Sequence, residues 1–359
     1  MEEKQGKQST VIAIAVVIVL LVIGGLFYQR SIDKERKSEE EQQTTEQTKI
    51  AKEAESKRRE MATQAPSAPV RTEPLAAPPA PPPSTGQCAV DAPQVIQARM
   101  AAAPEGMVYV AAGPFTMGNT PEAGQPDESP VHGVCLRGFY IDKYEVTNEQ
   151  FKKFVDATGY ITDAEMAASS NASLPTWKHP YGADSNADNM SNYPVACVSW
   201  NDANAYALWA GKRLPTESEW EKAARGTDGR VYPWGNAEPT IALANVADSS
   251  AGLMWSNASL SDNQKKAAPV GSFAGGRSVY AVEDMAGNVW EWCFDWWGKD
   301  YYKVSPPTGP TGPETGEFKV IRGGSWFYSA DGARTSRRMY FRPVGSSADI
   351  GFRCVKDMQ

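Results

Sequence analysis

The chain ends in a stretch whose residue types could either catalyse a reaction or hold a ligand. Residues 321–355 read IRGGSWFYSADGARTSRRMYFRPVGSSADIGFRCV and combine paired glycines, six aromatic side chains, several arginines and one cysteine. Arginines beside aromatic rings bind extended peptides or anions through bidentate and stacking contacts. The alternative is that these side chains are core aromatics and structural arginines.

Histidine and cysteine usage limits the chemistry that is available. His132 and His179 are the only histidines, which excludes a metal site built from several histidines. The cysteines have no CxxC spacing, which argues against a structural zinc site. An odd number of cysteines allows at most two internal disulfides and leaves one thiol over, and buried free thiols are the alternative. The five cysteines are Cys88, Cys135, Cys197, Cys293 and Cys354.

The composition of the 359 residues favours a loop-rich protein that does not bind nucleic acid. The net charge is −7, so there is no basic excess to displace the counterions of a nucleic acid. Glycine (30), proline (26) and tryptophan (11) are all plentiful. We therefore expect aromatic side chains, rather than long aliphatic helices, to supply much of the buried area.

The N-terminal region predicts a membrane anchor. Residues 1–10 form a short tail, and residues 11–29 are uncharged and almost wholly apolar, long enough to span a bilayer core. A cleaved signal peptide is the alternative, but no small-x-small cleavage site follows the apolar run. Lys4 and Lys7 favour a cytoplasmic N-terminus, although basic residues also follow the span. We expect a single-pass protein of the cytoplasmic membrane, with its C-terminal domain on the periplasmic or extracytoplasmic side.

Three further segments follow the anchor. Residues 30–61 carry mixed charges without an apolar stripe, which predicts a solvated helical stalk. Residues 62–105 are rich in proline and alanine and predict a semi-rigid linker with a short helix near its end. Residues 106–359 form the globular domain.

The pattern within the globular domain predicts an α+β fold with few helices and long loops. Alternating residues predict strands over 107–118 and 132–146, and a further strand over 194–200. Capping-box spacing predicts helices that begin at Thr147 and Thr216.

Four motifs resemble the formylglycine-generating enzyme, or sulfatase-modifying factor, family. They are PVACVSWNDANAYALWAGKRLPTESEWEKAARG, YPWGN, DMAGNVWEWCFDWW and the C-terminal stretch quoted above. The resemblance runs from Met107 to Val355. It implies a single loop-rich α+β domain, a variant of the C-type lectin fold.

The resemblance also implies where catalysis would lie. The family's oxidases hold copper with two cysteines in the last motif, because soft thiolates bind Cu(I). The matching positions after Ser325 are Tyr328 and Ala333, so we do not expect copper. A related branch that holds iron with three histidines is excluded by the histidine count. What remains of the family's groove is Ser325, Trp326, Tyr328, Arg337, Arg338, Tyr340 and Arg342.

The family's two structural calcium sites carry over by resemblance. Oxygen ligands in tight loops suit Ca²⁺. The alternative is that the same residues only form turns. The first site would use the side chains of Asp284 and Glu291 and the carbonyls of Gly287 and Val289. The second would use the side chains of Asn245 and Asp262 and the carbonyls of Val246 and Gln264.

The resemblance suggests one disulfide. Family members often tether the final GFRC strand to the region of the VSW motif and the helix after it. The usual helix position is Ala207 here, so Cys197 is the expected partner of Cys354. Cys88 and Cys135 are a second candidate pair.

Three functions fit these observations. The first is a non-catalytic, membrane-tethered binding or scaffold domain with a protein or peptide partner in the envelope. The second is an oxidoreductase or protein-modifying enzyme that uses other residues of the groove, such as Tyr328, Ser325 or Glu291. The third is a lectin-like receptor.

Overall fold

Short strands and helices alternate with long loops in this chain. The computed structural model describes residues 88–120 and 123–358. Helices α1 to α5 span Pro93–Ala101, Asn148–Thr158, Asp163–Ala168, Trp200–Trp209 and Glu217–Arg225. Strands β1 to β9 span Met107–Val110, Gly113–Met117, His132–Leu136, Phe139–Asp142, Trp290–Trp296, Lys319–Arg322, Met339–Phe341, Ile350–Gly351 and Val355–Asp357.

The strands form three small sheets. The first has the order β1-β4-β9, and the second is the antiparallel hairpin β2-β3. The third has the order β7-β6-β5-β8, in which only the β5–β8 pair is parallel. The chain leaves β6 at Arg322, returns to the same sheet as β7, and leaves it again before β8.

Helix starts and stops follow the sequence signals. Thr147 Oγ1 accepts a hydrogen bond from the amide of Gln150, whose side chain accepts from the Thr147 amide in return. Gly159 ends helix α2 in a left-handed conformation, with φ 66°. Thr216 caps helix α5 in the same way, and Gly226 ends it. Both predicted helices are confirmed. They could be predicted because each cap is formed by residues within one helical turn.

The predicted strand over 194–200 is wrong. Pro194 makes an isolated bridge with Thr147, and no ladder continues from it. Cys197 has a left-handed backbone, with φ 56°, which interrupts an extended run. Ser199 is already the N-cap of helix α4.

The core consists of two main apolar clusters. One packs helices α2 and α4 against the third sheet through aromatic contacts, such as Phe151 with Tyr206 (ring centroids 5.9 Å) and with Phe352 (6.4 Å). The other surrounds Trp220 of α5, which is fully buried between β2, β4 and β5. Helix α1 lies before residue 106, where the globular domain was predicted to begin. Its Ile96 nevertheless packs against β1 and β4.

Buried ion pairs connect these layers. Three arginines with at most 1% exposure each meet a buried glutamate. Burying a charge without such a partner is costly, so each pair fixes its two elements together. The pairs are Arg322 with Glu221, Arg338 with Glu217, and Arg353 with Glu291.

The disulfide expected from the resemblance is also wrong. Cys88 and Cys135 are bonded, with their Cα atoms 5.6 Å apart. Cys197 and Cys354 are buried free thiols. Cys354 lies beside Asp142, whose carboxylate accepts a hydrogen bond from its amide. Cys197 instead sits in the loop before helix α4 with its thiol 3.5 Å from the Pro180 carbonyl.

The predicted anchor, stalk and most of the linker lie outside the described residues. Within residues 88–120 and 123–358, no helix is long and apolar enough to cross a membrane.

Candidate functional site

Ser325 lies at the floor of the site, where the chain turns after β6. Gly323 and Gly324 have left-handed φ values of 99° and 77°. A Cβ on Gly324 would lie 2.8 Å from the backbone of Gly332, so the close approach of these two segments requires glycine. Ser325 is fully buried, and its hydroxyl donates to Asp349 Oδ2 over 2.8 Å. This bond fixes the serine to the loop before β8.

Cys197 borders the same carboxylate. Its amide donates to the Ser347 carbonyl over 2.9 Å, and the Ser347 hydroxyl donates to Asp349 Oδ1 over 2.5 Å. Burial raises the pKa of the Cys197 thiol to about 12, and the negative charge of Asp349 adds to this effect. A thiol with such a pKa remains protonated at neutral pH and is a weak nucleophile and metal ligand.

Aromatic side chains surround this floor. The rings of Tyr181 and Trp326 meet edge to face, with centroids 6.4 Å apart. Lys266 Nζ lies 4.1 Å from the centroid of the Tyr181 ring, a cation–π contact. Trp255 stacks edge-on against Phe327 and donates its indole N–H to the Phe327 carbonyl. We call Tyr181, Trp255, Trp326, Phe327 and Tyr328 the aromatic rim.

The structure gives the surroundings of Tyr328 and Ala333, the two positions that the resemblance predicts to match copper-binding cysteines. The ring of Tyr328 packs edge-on against Trp290 with centroids 5.3 Å apart, and burial raises the pKa of its phenol. Ala333 is fully buried in a small apolar cluster with Tyr232 and Val246. Both positions are therefore part of the packing around the site.

Of the predicted arginines, Arg337 lies near enough to Tyr328 for its charge to act on the phenol, whereas Arg338 is engaged in the interior. Arg338 is fully buried; it donates to both carboxylate oxygens of Glu217, over 2.7 and 2.9 Å. Its guanidinium also stacks on the ring of Tyr302, at 4.1 Å. This side chain is structural.

The other two predicted arginines have different partners, an exposed glutamate for Arg342 and a buried one for Arg337. Arg342 lies 2.9 Å from Glu317, and Arg337 lies 3.8 Å from Glu128. Tyr340, which is 39% exposed, packs on the same side of β7 as Arg342, because both contact Phe318.

The loop of the first predicted calcium site has the required tight turns. Asp284 and Asn288 have left-handed φ values of 57° and 63°. Gly287 approaches Asn245 so closely that a Cβ would lie 2.2 Å from its carbonyl oxygen. Asp284 is buried, and its Oδ2 accepts from the amide of Gly271 over 2.6 Å. Burial raises the pKa of the Asp284 carboxyl.

Glu291, the second side chain expected there, is already engaged. Arg353 donates to both of its oxygens, over 2.7 and 2.6 Å. The indole N–H of Trp220 donates to Oε2 over 2.8 Å. Three of the four lone-pair positions of this carboxylate are thus used by the protein.

Glu145 is a residue of this region that the sequence analysis missed. Its carboxyl lies within hydrogen-bonding reach of the Asp284 carboxyl. Oε1 accepts from Asn288 Nδ2 over 2.8 Å, whereas Oε2 is buried without a hydrogen-bond partner in the described part of the chain. Burial, and then the charge of Asp284, raise the pKa of Glu145 well above its ordinary value. The only sequence feature that could have drawn attention to Glu145 is its position shortly before the N-cap Thr147.

The two segments of the second predicted calcium site, around Asn245 and Asp262, contact each other. Asn245 Nδ2 donates to the Lys266 carbonyl over 2.9 Å, and the Gln264 amide donates to Asp262 Oδ1 over 2.7 Å. Asp262 Oδ2 is buried without a partner among the described residues. Asp248, which the sequence analysis did not single out, accepts from the Asp262 amide. Burial, with a contribution from Asp248, raises the pKa of Asp262 to about 6.

A cation at either place would need backbone oxygens as well as side chains. No group of three or more histidine, cysteine, aspartate or glutamate side chains is arranged to hold a metal within the described ranges. The loops that contain Val246, Gln264, Gly287 and Val289 are the predicted sources of those carbonyls.

The fold and its motifs match a known family. The family model of the sulfatase-modifying factor enzyme 1-like domain matches residues 92–358. The chain belongs to this family. The predicted family and its mixture of helices and sheets are therefore confirmed.

Several relatives resemble this sulfatase-modifying factor domain over most of their length. The formylglycine-generating enzyme of Thermomonospora curvata is 41% identical over 287 residues, covering 70% of this chain and 94% of the relative. The inactive C-alpha-formylglycine-generating enzyme 2 of Bos taurus is 35% identical, covering 69% of this chain and 87% of the relative. The structure of PvdO from Pseudomonas aeruginosa superposes with a TM-score of 0.57 at 28% identity, covering 70% of this chain and 94% of PvdO.

Proposed function

We propose that this protein is a non-catalytic binding or scaffold domain of the sulfatase-modifying factor family. The observation that carries the proposal is the pair Tyr328 and Ala333, which stand where the family's oxidases have copper-binding cysteines. A phenol packed against Trp290 and a buried methyl group cannot clamp Cu(I) as two thiolates do. The proposal is supported by the relative in Bos taurus that is described as an inactive formylglycine-generating enzyme.

The remaining polar groups of the site also argue against a substitute catalyst. The Ser325 hydroxyl donates a hydrogen bond to Asp349, and no hydrogen bond links either residue to a histidine that could act as a base. His132 Nδ1 contacts the Pro130 carbonyl, and His179 Nδ1 contacts the Ser185 carbonyl. Among the alternatives from the sequence, an enzyme that uses Glu291 is disfavoured because Arg353 already occupies that carboxylate.

The aromatic rim is the proposed contact surface for a protein or peptide partner. Trp255 is 49% exposed, and Met254 beside it is 98% exposed. Aromatic side chains and methionine are enriched in protein interfaces. Lys266 over the Tyr181 ring adds a positive charge at one end of this surface.

We further propose that the domain acts outside the cytoplasm, held to the cytoplasmic membrane by residues 11–29. The Cys88–Cys135 disulfide supports this location, because disulfides persist mainly in oxidising compartments. Protease treatment of spheroplasts tests it: the C-terminal domain should be digested while the membrane remains intact. Protection of the domain until the membrane is lysed would contradict the proposed orientation.

We also propose that the domain binds calcium as a structural ion. Asp262 fits a cation site, because its Oδ2 is a buried oxygen without a partner in the described ranges. Bound calcium would add to the backbone hydrogen bond from Asn288 to Asn245, which already joins the two loops. The ion would have no role in a reaction.

The catalytic question is tested by incubating the full chain in detergent with a sulfatase-type peptide that carries an unmodified cysteine, oxygen and Cu(I). We expect mass spectrometry to find the peptide unchanged. The formylglycine-generating enzyme of Thermomonospora curvata serves as the positive control. Conversion of the cysteine to an aldehyde by this protein would overturn the proposal.

A further inference from the structure

The domain contains a cavity that shares no lining residue with the aromatic rim or with the predicted calcium sites. Its volume is about 420 Å³, which is within the usual range for small-molecule sites. Its walls come from the end of helix α1, the turn between β3 and β4, the start of helix α5, the loop at 309–311 and the end of β9. The functions considered so far make no use of this cavity.

The lining of the cavity is apolar in one part and basic in another. Four apolar residues contribute to it: Leu136, Phe139, Pro310 and Met358. Three arginines contribute as well: Arg99, Arg137 and Arg213. Apolar walls with a few charged groups are typical of ligand pockets, and arginine is well suited to carboxylates and phosphates. This lining therefore favours a ligand with an apolar body and an anionic group.

Arg213 is already neutralised by the two acidic side chains that line the cavity. Its guanidinium donates to both carboxylate oxygens of Glu219, over 2.7 Å each. It also donates to Asp357 Oδ1, over 2.6 Å. Both lining carboxylates are thus held by the same arginine, so Arg213 is a fixed part of the wall.

The other two arginines have donors to spare. Within residues 88–120 and 123–358, neither Arg99 nor Arg137 has a carboxylate at salt-bridge distance. Asp91, which like Arg99 lies near the Tyr109 phenol, is engaged elsewhere, because it accepts from the Tyr109 hydroxyl and from the Ala112 amide. Each guanidinium carries five N–H donors, so these two side chains can bind an anion without breaking an existing salt bridge in the described ranges.

Helix α1, which carries Arg99, is fixed to the domain as one wall of the cavity. The Cys88–Cys135 disulfide ties the segment before α1 to β3, two residues before Arg137. The hydroxyl of Tyr140 donates to the Arg99 carbonyl over 3.2 Å, and Ile96 packs against β1 and β4. These contacts hold the two segments with Arg99 and Arg137 in place, which a simple spacer would not require.

We propose that this cavity binds an organic acid, with its carboxylate held by Arg99 and Arg137 and its apolar part against Leu136 and Phe139. Hydrogen bonds from guanidinium groups to carboxylates are among the stronger ones in proteins, because both partners are charged. The volume is ample for one large amino-acid residue, so the acid is a small free carboxylate or the C-terminal residue of a peptide. This proposal goes beyond the proposed function and does not rest on it.

The test uses the full chain in a non-ionic detergent and N-acetyl-phenylalanine, which joins an aromatic side chain to a free carboxylate. Ligand-observed NMR titration gives the dissociation constant, which we expect to be on the order of 1 mM or lower for a ligand of this size. The uncharged N-acetyl-phenylalaninamide should bind at least roughly tenfold more weakly, because it offers the arginines no anion. A tripeptide that ends in phenylalanine distinguishes the two sources: tighter binding than N-acetyl-phenylalanine indicates a peptide C-terminus, and equal binding a free acid.

Substitutions identify the groups that hold the carboxylate. Arg99→Gln and Arg137→Gln should each weaken the binding of N-acetyl-phenylalanine by roughly three- to tenfold and leave the binding of the amide unchanged. Arg137→Lys should keep part of the affinity, since it keeps the charge and loses the planar fork. Arg277→Gln, which alters an exposed arginine outside the cavity, is the matched control and should bind as the wild type. If thermal melts show that Arg99→Gln folds poorly, Arg137→Gln provides the test, because Arg137 is exposed.

Three results would overturn this proposal. The first is a wild type that does not bind N-acetyl-phenylalanine at about 10 mM, tenfold above the expected constant. The second is equal affinity for the acid and its amide. The third is equal affinity of the Arg137→Gln and Arg277→Gln variants for the acid. None of these results bears on the peptide assay with Cu(I), and conversion of that peptide would leave the proposal for the cavity unchanged.

Discussion

Replacing Cys88 and Cys135 with alanine removes the disulfide that ties the start of the folded region to β3. The bond closes a loop with a sequence separation of 47 residues. The chain-entropy relation for such a loop gives roughly 4 kcal/mol of stabilisation at 25 °C, through restriction of the unfolded chain. The native contacts near the bond should survive, because the Cys135 amide still donates to the Pro307 carbonyl. Tyr109 also still holds Asp91, three residues after Cys88.

The expected loss is measured by thermal melts of the full chain in detergent. For a folded region of this size, roughly 4 kcal/mol corresponds to a fall in melting temperature of about 8–16 °C. Wild-type protein treated with a reductant should show the same fall, whereas the double alanine variant should not respond to the reductant. A double variant that melts with the oxidised wild type, or that still responds to the reductant, would refute the reasoning. The second result would revive a bond between Cys197 and Cys354.

Three further predictions concern the interior. Arg338→Ala should lower the free energy of unfolding by about 3 kcal/mol, because it removes both short contacts to the buried Glu217 and leaves this carboxylate with Arg322 at 3.6 Å; a urea melt within about 1 kcal/mol of the wild type, the error of such a comparison, would contradict this. Burial, and then the charge of Glu217, raise the pKa of Asp295 to about 8. The folded-state pKa is thus above the unfolded value of about 3.9, so this carboxyl lowers stability as pH rises from about 4 to about 8. Asp295→Asn should therefore show a weaker decline in melting temperature over that window, and an unchanged or steeper decline would count against the assignment. Finally, Cys197 and Cys354 should resist alkylation in the native protein and react after denaturation, as quantified by peptide mass mapping; rapid labelling of either thiol in the native state would show that it is accessible.

Much of the local structure could be predicted because its determinants are close in sequence. The capping boxes at Thr147 and Thr216 act within one turn, so the four residues at each site specify the start of a helix. The order of the motifs along the chain also sufficed to identify the family. The strand over 194–200 could not be predicted correctly, because the left-handed backbone at Cys197 is set by its contact with Ser347.

The candidate site was predictable in part. Ser325, Trp326 and Tyr328 lie together because they are neighbours in the chain. The partner of Arg338, by contrast, is Glu217 in helix α5, and no local sequence pattern reveals this pairing.

The sequence by itself determined which side-chain types are present: no cysteine lies between Ser325 and Cys354, however the chain folds. Only the tertiary structure decided which groups meet, since pairing depends on contacts between distant segments. In the folded chain Cys88 is bonded to Cys135, and Cys197 and Cys354 are free thiols. The carboxyl groups of Glu145 and Asp284, which are far apart in the sequence, lie within hydrogen-bonding reach.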